Sequence, residues 1–525
     1  MAQPDPKFDS FDWVLYSDPN AINSISEGNE YVYFGTESGG ILRYNYYGQY
    51  FEEAITTAQG LPENRITAVY FDHYTGILWA ATSDKLNYSY TALGDWYSID
   101  LSEYGLNSGS ELIQIGSSEE YIWARTLTMN IKCDHASGMF IGQFITPDQN
   151  EIYWSSDQFF PYDDFSQLLG DYSIAGKWNI FGNGLIGPYG QTVGITTYYR
   201  GEHSNSWIGS STGIILHSLP GMNSFEAIEY GLNTTDIQFI LPGSGFWLGG
   251  QIAMDQESGI SRFDPGRSVF ERYYFDEFLG MQLQSSYSGL VVDDEIWIGG
   301  EGQILIYNNK KDDWNTINEL HGITSGKILT MTQDSSSVWV GSTRGLSRIS
   351  KSTKRSIFTG LESYYNERFV YFLFQHDNEI WIGTDYEVKI FDFEENIVYD
   401  LGQLIGDKIV NYSVMKYFTA YTSFEGKIYI GSQNGIIVYD PISTTFSLIQ
   451  SGLYNNAIIR KMVVSDDYLW LIANNILFRI GRDGSSVRQY NYNFIGTLND
   501  LYISGDYLWL GSSSGLIKFN WQRDL

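Results

Sequence analysis

Hydrophobic and polar residues alternate in a pattern that repeats along almost the whole chain. In the unit around Trp339, residues 327–332 alternate as a half-buried strand does, and residues 338–341 form a second strand after a Ser-rich turn. A third strand is predicted at 346–349, and a fourth begins at Arg355. Turn residues fall at intervals of roughly 8 to 12 positions, and no long helical period occurs. The pattern therefore predicts four short β-strands per unit.

An aromatic anchor marks the second strand of each unit. The motif is an apolar residue, Trp or Tyr, an apolar residue, Gly, then Ser, Thr or Gly, as in Val338-Trp-Val-Gly-Ser and Leu508-Trp-Leu-Gly-Ser. A doubtful copy of the motif lies at Tyr153. It is 30 residues after Trp123 and 54 before Trp207, which together make two ordinary periods, so a distorted unit is expected there. The anchors average about 43 residues apart, and the eleven clearer ones are Tyr33, Trp79, Trp123, Trp207, Trp247, Trp297, Trp339, Trp381, Tyr429, Trp470 and Trp509.

Four strands in about 40 to 45 residues are typical of a β-propeller blade. The sequence predicts an all-β protein of about twelve four-stranded blades. Because single rings typically have four to eight blades, two propellers are expected, divided six plus six or seven plus five. An orphan strand near Trp13 resembles a fourth strand and is expected to pair with the last strand of the chain, which closes a blade and covers an edge.

The expected domain boundaries follow from this reading. Residues 1–17 form the closing strand of the last blade, and residues 18–200 form a first group of blades with an irregular segment at 143–199. Residues 201–525 form the second group, and one propeller can combine blades from both ends of the chain. In each blade the anchor is expected to pack against a neighbouring blade, and the Gly two residues later keeps that surface flat.

Composition narrows the class of function. With 31 basic and 62 acidic residues among 525, the net charge is −31, which disfavours nucleic acid and anionic membranes as partners. The single cysteine, Cys133, excludes a disulfide scaffold, and 16% aromatic residues supply a large core. No apolar run is long enough to span a bilayer, so direct membrane insertion is not expected.

The units resemble the two-component-regulator propeller repeat, in which a Gly-Leu-x-x-Asn-x-Ile segment precedes the anchor motif. Matching segments are Gly60-Leu-Pro-Glu-Asn-Arg-Ile, Gly322-Ile-Thr-Ser-Gly-Lys-Ile and Gly452-Leu-Tyr-Asn-Asn-Ala-Ile. The resemblance covers about residues 11–521 and implies a stand-alone double propeller of bacterial origin. It also implies export, so we expect a mature periplasmic, cell-surface or secreted protein that lacks its signal peptide. The kinase, receiver and DNA-binding segments of such regulators do not occur in the sequence.

The sequence offers little catalytic chemistry. No two of the six histidines have a metal-ligand spacing, and Cys133 lies on a predicted core strand. Asp-initiated turns such as Asp72-His-Tyr-Thr-Gly are expected to cap themselves through backbone N–H groups. No cofactor is predicted. A Ca²⁺ ion held by several blades stays open without a motif to support it. Whether the protein is an enzyme therefore stays open from the sequence, and a non-enzymatic role is favoured.

Candidate binding residues lie in the loops that join the last strand of one blade to the first strand of the next. These loops combine amides, charges and tyrosines, which suits recognition of a protein or an oligosaccharide. The candidates are Asn64, Arg65, Asn107, Asn233, Asp236, Lys327, Tyr364, Tyr365, Asn366, Arg368, Tyr454 and Asn455.

Three functions remain open from the sequence. The first is an exported, non-enzymatic recognition or scaffold protein that binds a protein partner or a glycan at a propeller face. The second is a propeller-type polysaccharide lyase or hydrolase, for which no carboxylate pair can be nominated. The third is a subunit of a cell-surface or secretion assembly.

Overall fold

The fold was analysed in a computed structural model. It describes residues 4–525 apart from 107–109, 150, 159–171, 177, 182–183, 189, 191, 202–204, 219–221, 252–258, 275–284, 410–411, 413–414, 451–455, 466, 483 and 485. Within these residues the strands form eleven sheets, which we number 1 to 11 along the chain. Most have four antiparallel strands in sequential order, so the predicted all-β propeller class is confirmed.

The first four sheets lie between residues 22 and 229. Sheet 1 contains Ile22–Glu27, Tyr31–Thr36, Ile41–Asn45 and Tyr50–Ile55, and sheet 2 contains Ala68–Phe71, Leu78–Ala81, Lys85–Ser89 and Tyr97–Asp100. Sheet 3 contains Gln114–Ser117, Tyr121–Arg125, Asn130–Asp134 and Phe140–Phe144, with Tyr153–Trp154 beside its first strand. Sheet 4 contains Asp157–Gln158, Ser173–Ile174, Asn179–Phe181, Gly184–Ile186, Thr192–Arg200, Ser206–Ser210, Ile214–Ser218 and Ser224–Glu229.

The next four sheets follow the repeat more closely. Sheet 5 contains Asp236–Gly243, Gly245–Gln251, Gly259–Asp264 and Val269–Tyr274, and sheet 6 contains Ser288–Val292, Glu295–Gly299, Gln303–Asn308 and Asp313–Asn318. Sheet 7 contains Ile328–Gln333, Ser337–Ser342 and Gly345–Ser350, and sheet 8 contains Phe372–His376, Glu379–Gly383, Val388–Asp392 and Ile397–Asp400.

The last three sheets lie between residues 420 and 520, and the first strand of the chain is Trp13–Tyr16. Sheet 9 contains Ala420–Phe424, Lys427–Ser432, Gly435–Asp440 and Thr445–Ile449, and sheet 10 contains Ile459–Val464, Tyr468–Ala473, Ile476–Gly481 and Val487–Tyr490. Sheet 11 contains Leu498–Ser504, Tyr507–Ser512 and Gly515–Asn520, which pair in sequential antiparallel order.

Helices in the described part of the chain are short. Two are α-helical, Leu361–Tyr364 and Leu401–Ile405, and the 3-10 helices are Thr57–Gln59, Leu101–Tyr104, Glu319–His321, Asn493–Ile495 and Trp521–Asp524. Three of the 3-10 helices end at a glycine with positive φ, Gly60, Gly105 and Gly322, which is the glycine of the Gly-Leu motif. The motif therefore ends a short helix before the chain enters the next sheet.

The chain divides into two compact units. Unit 1 comprises residues 1–232, 264–271 and 523–525, and unit 2 comprises residues 233–263 and 272–522. In unit 2 the first strands of sheets 5, 6, 7 and 8 contact in order, as do those of sheets 9, 10, 11 and 5. Phe374 of sheet 8 stacks on Tyr421 of sheet 9 with ring centroids 4.4 Å apart, which completes a ring of seven sheets. The sequence left two blade divisions open, and this unit contains seven.

Short hydroxyl side chains on the first strands join neighbouring sheets. In unit 2 the Ser288 hydroxyl donates to the carbonyl of Ile328 at 2.8 Å, and the amide of Leu373 donates to the Thr330 hydroxyl at 3.1 Å. These bonds satisfy buried backbone groups where the first strands converge. The pattern explains why first strands carry Ser and Thr between their apolar residues.

The anchor aromatics lie between sheets. All eleven are buried, and Trp79, Trp123, Trp207, Trp297, Trp339 and Trp470 have no measurable exposure. Two residues after the anchor, a Cβ built on Gly341 would lie 2.6 Å from Val370, and one built on Gly299 would lie 2.6 Å from Ile328. Because the neighbouring sheet approaches this closely, the position after the anchor favours glycine, as the repeat motif indicates.

The structure departs from the repeat in two places. The fourth strand predicted from Arg355 is wrong: sheet 7 has three strands, and only an isolated bridge joins Ile349 to Ser356. The chain turns away because Gly360, at φ +92°, begins the helix Leu361–Tyr364. The second place is Tyr153, which is 58% exposed in a two-residue strand and does not act as an anchor.

Candidate functional site

Two sets of loops meet at one end of the sheets in unit 2. In an antiparallel sheet, the turn between strands two and three lies at the same end as the connection from strand four to the next sheet. Backbone bonds join these loops: the amide of Thr343 donates to Lys327, that of Glu367 donates to Arg344, and that of Gln433 donates to Lys416. We call residues 324–327, 343–344, 364–369, 385–389, 416–417 and 433–434 the loop face.

A charged cluster occupies the middle of the loop face. The Glu387 carboxylate accepts a hydrogen bond from the Tyr364 hydroxyl at 2.5 Å and pairs with the guanidinium of Arg368 and the ammonium of Lys389, each at 3.2 Å. Lys389 also pairs with Asp400 at 2.9 Å. The Arg368 guanidinium lies 4.4 Å from the Tyr364 ring centre, in a cation–π contact. We call these five residues the Glu387 cluster.

The cluster is rigid at its base and accessible at its top. Tyr364 is 41% exposed, and the side chains of Arg368 and Glu387 are 48% and 19% exposed. Burial alone would lower the pKa of Lys389, but its bonds to Asp400 and Glu387 outweigh burial and raise that pKa. Lys389 is thus held as a cation between two carboxylates. The arrangement presents an aromatic ring and a cation in fixed positions, which suits recognition more than proton transfer.

Buried tyrosines support the loop face from below. Tyr365 has no measurable exposure, and its hydroxyl has no hydrogen-bond partner in the described part of the chain. Burial raises the pKa of Tyr365, and burial together with a hydrogen bond to Asp385 raises the pKa of Tyr371. Both phenols are therefore neutral near pH 7 and act as packing for the connection that carries Tyr364 and Arg368.

The remaining predicted residues of this region lie beside the cluster. The Lys327 ammonium lies 4.9 Å from the ring centre of Tyr287, and Asn366 is exposed. Arg344 lies 3.9 Å from the carboxylate of Glu367. Lys327, Tyr364, Asn366 and Arg368 are thus brought to one face of unit 2.

Other predicted residues serve the fold. The Asn64 side chain accepts the amide of Thr57 at 2.8 Å. Arg65 pairs with Glu37 at 2.7 Å and with Glu111 at 2.5 Å. These contacts hold the first connection of unit 1 in place and use the polar groups that the sequence offered for a ligand.

Two predicted residues begin sheet 5. Asn233 is buried, and its amide donates to the carbonyls of Ile260 and Tyr273 at 3.2 and 3.1 Å. Asp236 accepts hydrogen bonds from Gln238 and Asn499 at 2.9 and 2.8 Å. Three further candidates, Asn107, Tyr454 and Asn455, lie outside the described residues.

Glu387, Lys389 and Asp400 are not among the binding residues predicted from the sequence. They could have been found from the turn that follows Ile380-Trp-Ile-Gly. Turns between strands two and three lie at the same end of a sheet as the connections between sheets, which contain the predicted residues. Tyr386 in that turn is 73% exposed and extends the aromatic surface.

The described residues offer few groups that could support catalysis. Among the described residues, no group of three or more His, Cys, Asp or Glu side chains could hold a metal ion. Cys133 is buried, and burial raises the pKa of its thiol to about 12, so it is a poor nucleophile. The predicted self-capping of Asp turns is confirmed at Asp72 and Asp134, which accept the amides of Tyr74 and Ser137 at 3.1 and 2.8 Å. Over the described residues, none of the helices is both long and apolar enough to cross a bilayer.

Several solved structures match this chain at low sequence identity. The extracellular domain of BT4673 from B. thetaiotaomicron is 14% identical, with 94% of this chain and 69% of that chain covered and a TM-score of 0.43. PorZ, a surface component of the type-IX secretion system of Porphyromonas gingivalis, is 13% identical, with 95% and 73% covered and a TM-score of 0.44. Virginiamycin B lyase from Staphylococcus aureus is 13% identical over 54% of this chain and 94% of its own, with a TM-score of 0.43. No protein-family model and no curated protein sequence matches the chain.

Proposed function

We propose that the protein is an exported, non-enzymatic recognition or scaffold protein that binds a protein partner through the loop face of unit 2. The observation that carries the proposal is the Glu387 cluster, in which paired charges fix an exposed Tyr and an exposed Arg. Tyr and Arg are the side chains that most often dominate the energy of protein interfaces. Export is supported by the resemblance of the repeats to exported propeller proteins.

A protein partner fits the cluster better than a neutral glycan. Arg368, Lys389, Glu387 and Asp400 place both signs of charge close together, and such patterns select partners by complementary charge. The carboxylates of Glu387 and Asp400 both pair with Lys389, so neither is arranged as the free acid or base of a lyase or hydrolase.

The test is capture of partners from an envelope fraction of the source bacterium, with the immobilised protein and two variants. Arg368→Ala is expected to weaken capture at least fivefold, because truncation of an Arg that dominates an interface costs more than about 1 kcal/mol. Lys310→Ala is the control, since Lys310 is also exposed and ion-paired, with Asp294 at 2.5 Å, but lies at the opposite end of its sheet. Its capture is expected to equal that of the unmodified protein.

A glycan array probed with the same three proteins separates the alternatives. If the unmodified protein binds a glycan and Arg368→Ala does not, the loop face is the binding surface and its partner is a glycan. If all three proteins capture the same partners equally, the loop face is not the binding surface and the proposal fails.

A further inference from the structure

A cavity of about 370 Å³ lies in unit 2 between sheets 7 and 8, at the end opposite the loop face. Asp334 and Arg348 of sheet 7 form its polar wall, and Phe391 and Phe393 of sheet 8 form its apolar wall. Phe358, from the connection that replaces the fourth strand of sheet 7, also lines it and is 76% exposed. The volume lies in the range of small-ligand sites.

In two other gaps between sheets of unit 2, a pair of aromatic rings fills the equivalent space. Tyr307 and Trp314 are cross-strand partners with ring centroids 4.9 Å apart, and both pack against Trp247, the anchor of the preceding sheet. Tyr439 and Phe446 are the same pair in sheet 9, with centroids 4.6 Å apart. Each of these gaps is sealed by one ring from the third strand and one from the fourth.

The gap between sheets 7 and 8 lacks the second ring. Phe391 lies 5.8 Å from the anchor Trp339, but its cross-strand partner is Val398. Sheet 7 also lacks the fourth strand that would cover the gap from the other side. The cavity therefore lies where the gaps between sheets 5 and 6 and between sheets 8 and 9 have a second aromatic ring from the chain itself.

The polar wall determines what the occupant must offer. The Asp334 carboxylate already accepts bonds from the amides of Ser336 and Ser337, from the Trp339 indole at 2.9 Å and from Arg348 at 2.8 Å. Arg348 uses its Nε and Nη2 atoms for Ser337 and Asp334. Its Nη1 atom makes no hydrogen bond to the described residues. The Nη1 atom of Arg348 can therefore donate to a ligand oxygen, while the charges of Arg348 and Asp334 balance each other.

We propose that this cavity binds an uncharged aromatic ring that carries a carbonyl or similar acceptor oxygen beside it. The ring stacks among Phe358, Phe391 and Phe393, and the oxygen accepts from Arg348. A charged ligand is disfavoured because Asp334 already balances Arg348, so a further buried charge would have no partner. Such a group can come from a small molecule or from an aromatic side chain of a bound polypeptide. This site is separate from the loop face and does not depend on the function proposed for it.

The test titrates the whole protein with N-acetyl-L-phenylalaninamide and follows the ligand by NMR. We expect saturable binding, and N-acetyl-L-leucinamide is expected to bind at least tenfold more weakly because it lacks the ring. A seven-residue Ser/Gly peptide with a central Phe distinguishes the sources. Binding of the peptide without the amide indicates a polypeptide ligand, and equal binding of both indicates a small molecule.

Three variants locate the binding. Phe358→Ala is expected to weaken it about tenfold, which equals about 1.4 kcal/mol, because it removes one of the rings that stack on the ligand. Val398→Trp supplies the missing ring from within and is expected to abolish binding. Tyr507→Ala, at an exposed aromatic residue of the same unit outside both the cavity and the loop face, is the control and is expected to bind normally.

Absence of saturable binding by both the amide and the peptide overturns the proposal, as does binding that Phe358→Ala leaves unchanged. Phe358 is mostly exposed, so its removal is not expected to disturb folding. The result therefore remains decisive even if Val398→Trp fails to fold.

Discussion

Gly341→Ala tests how closely the sheets of unit 2 pack. The new Cβ would lie 2.6 Å from Cγ1 of Val370 and 2.7 Å from Cγ2 of Thr330, where carbon atoms normally approach to about 3.5–4.0 Å. Both neighbours are β-branched, and Val370 is fully buried, so neither can rotate away without strain. The added methyl group would lie in the contact between sheets 7 and 8.

The expected destabilisation is about 2 kcal/mol. Overpacking of a core by one methyl group typically costs about 1–3 kcal/mol, and two short contacts favour the upper half of that range. Loss of glycine flexibility in the unfolded chain returns about 0.5–1 kcal/mol. For a unit of this size, we expect the midpoint of thermal unfolding, followed by tryptophan fluorescence, to fall by about 5 °C.

A double-mutant cycle separates the clash from other effects of the substitution. Val370→Ala removes the nearer methyl group, so the double variant is expected to be more stable than the sum of the single effects by about 1 kcal/mol. Gly431→Ala is the matched control, because its Cβ would lie 3.1 Å from Ile459 and needs a smaller shift. An unchanged midpoint for Gly341→Ala, or additivity in the cycle, would refute the packing described here.

Three further predictions concern ionisable groups. The ring of His217 stacks on Trp207 with centroids 3.7 Å apart, and burial lowers the pKa of His217 to about 4. The stability that the neutral ring contributes is therefore fully present above pH 6.5 and is lost as the pH falls towards 4. A urea titration should show a loss of about 2 kcal/mol by pH 4 that is absent from His217→Phe, and equal losses would contradict the assignment. Hydrogen bonds to Asp334 outweigh its burial and lower its pKa. Asp334→Asn leaves the charge of Arg348 unpaired and should lower the free energy of unfolding by about 3 kcal/mol, measured by thermal unfolding. A near-neutral change would count against this hydrogen-bond network. Cys133, buried and with a raised pKa, should react with iodoacetamide only in denaturant, and rapid labelling of the native protein would show the strand to be open.

The repeated packing was predictable because it leaves the same mark in every unit. An anchor such as Trp339 and the glycine at 341 are fixed by one contact between sheets, and the ring repeats that contact, so the motif survives in the sequence. Tyr153 has a similar local sequence, but it lies in a two-residue strand at the edge of sheet 3, and its ring is exposed. A local motif therefore predicts a blade only where the neighbouring strands also fit.

The candidate site was less predictable because polar side chains can satisfy either the protein or a ligand. Asn64 and Arg368 lie in equivalent connections, yet Asn64 caps a short helix and Arg368 projects from the loop face. Nothing in the sequence pattern separates these outcomes. Glu387, which pairs with Arg368, comes from a turn 19 residues later, and its role depends on which loops share an end of the sheets.

The break in the repeat at sheet 7 links the two proposed sites. When the chain leaves the sheet after Ser356, the connection that follows is released from strand pairing. It places Phe358 at the cavity and then places Tyr364 and Arg368 on the loop face at the opposite end. Departures from a strict local pattern are expected where function outweighs regular packing, and this connection is such a departure within the described part of unit 2.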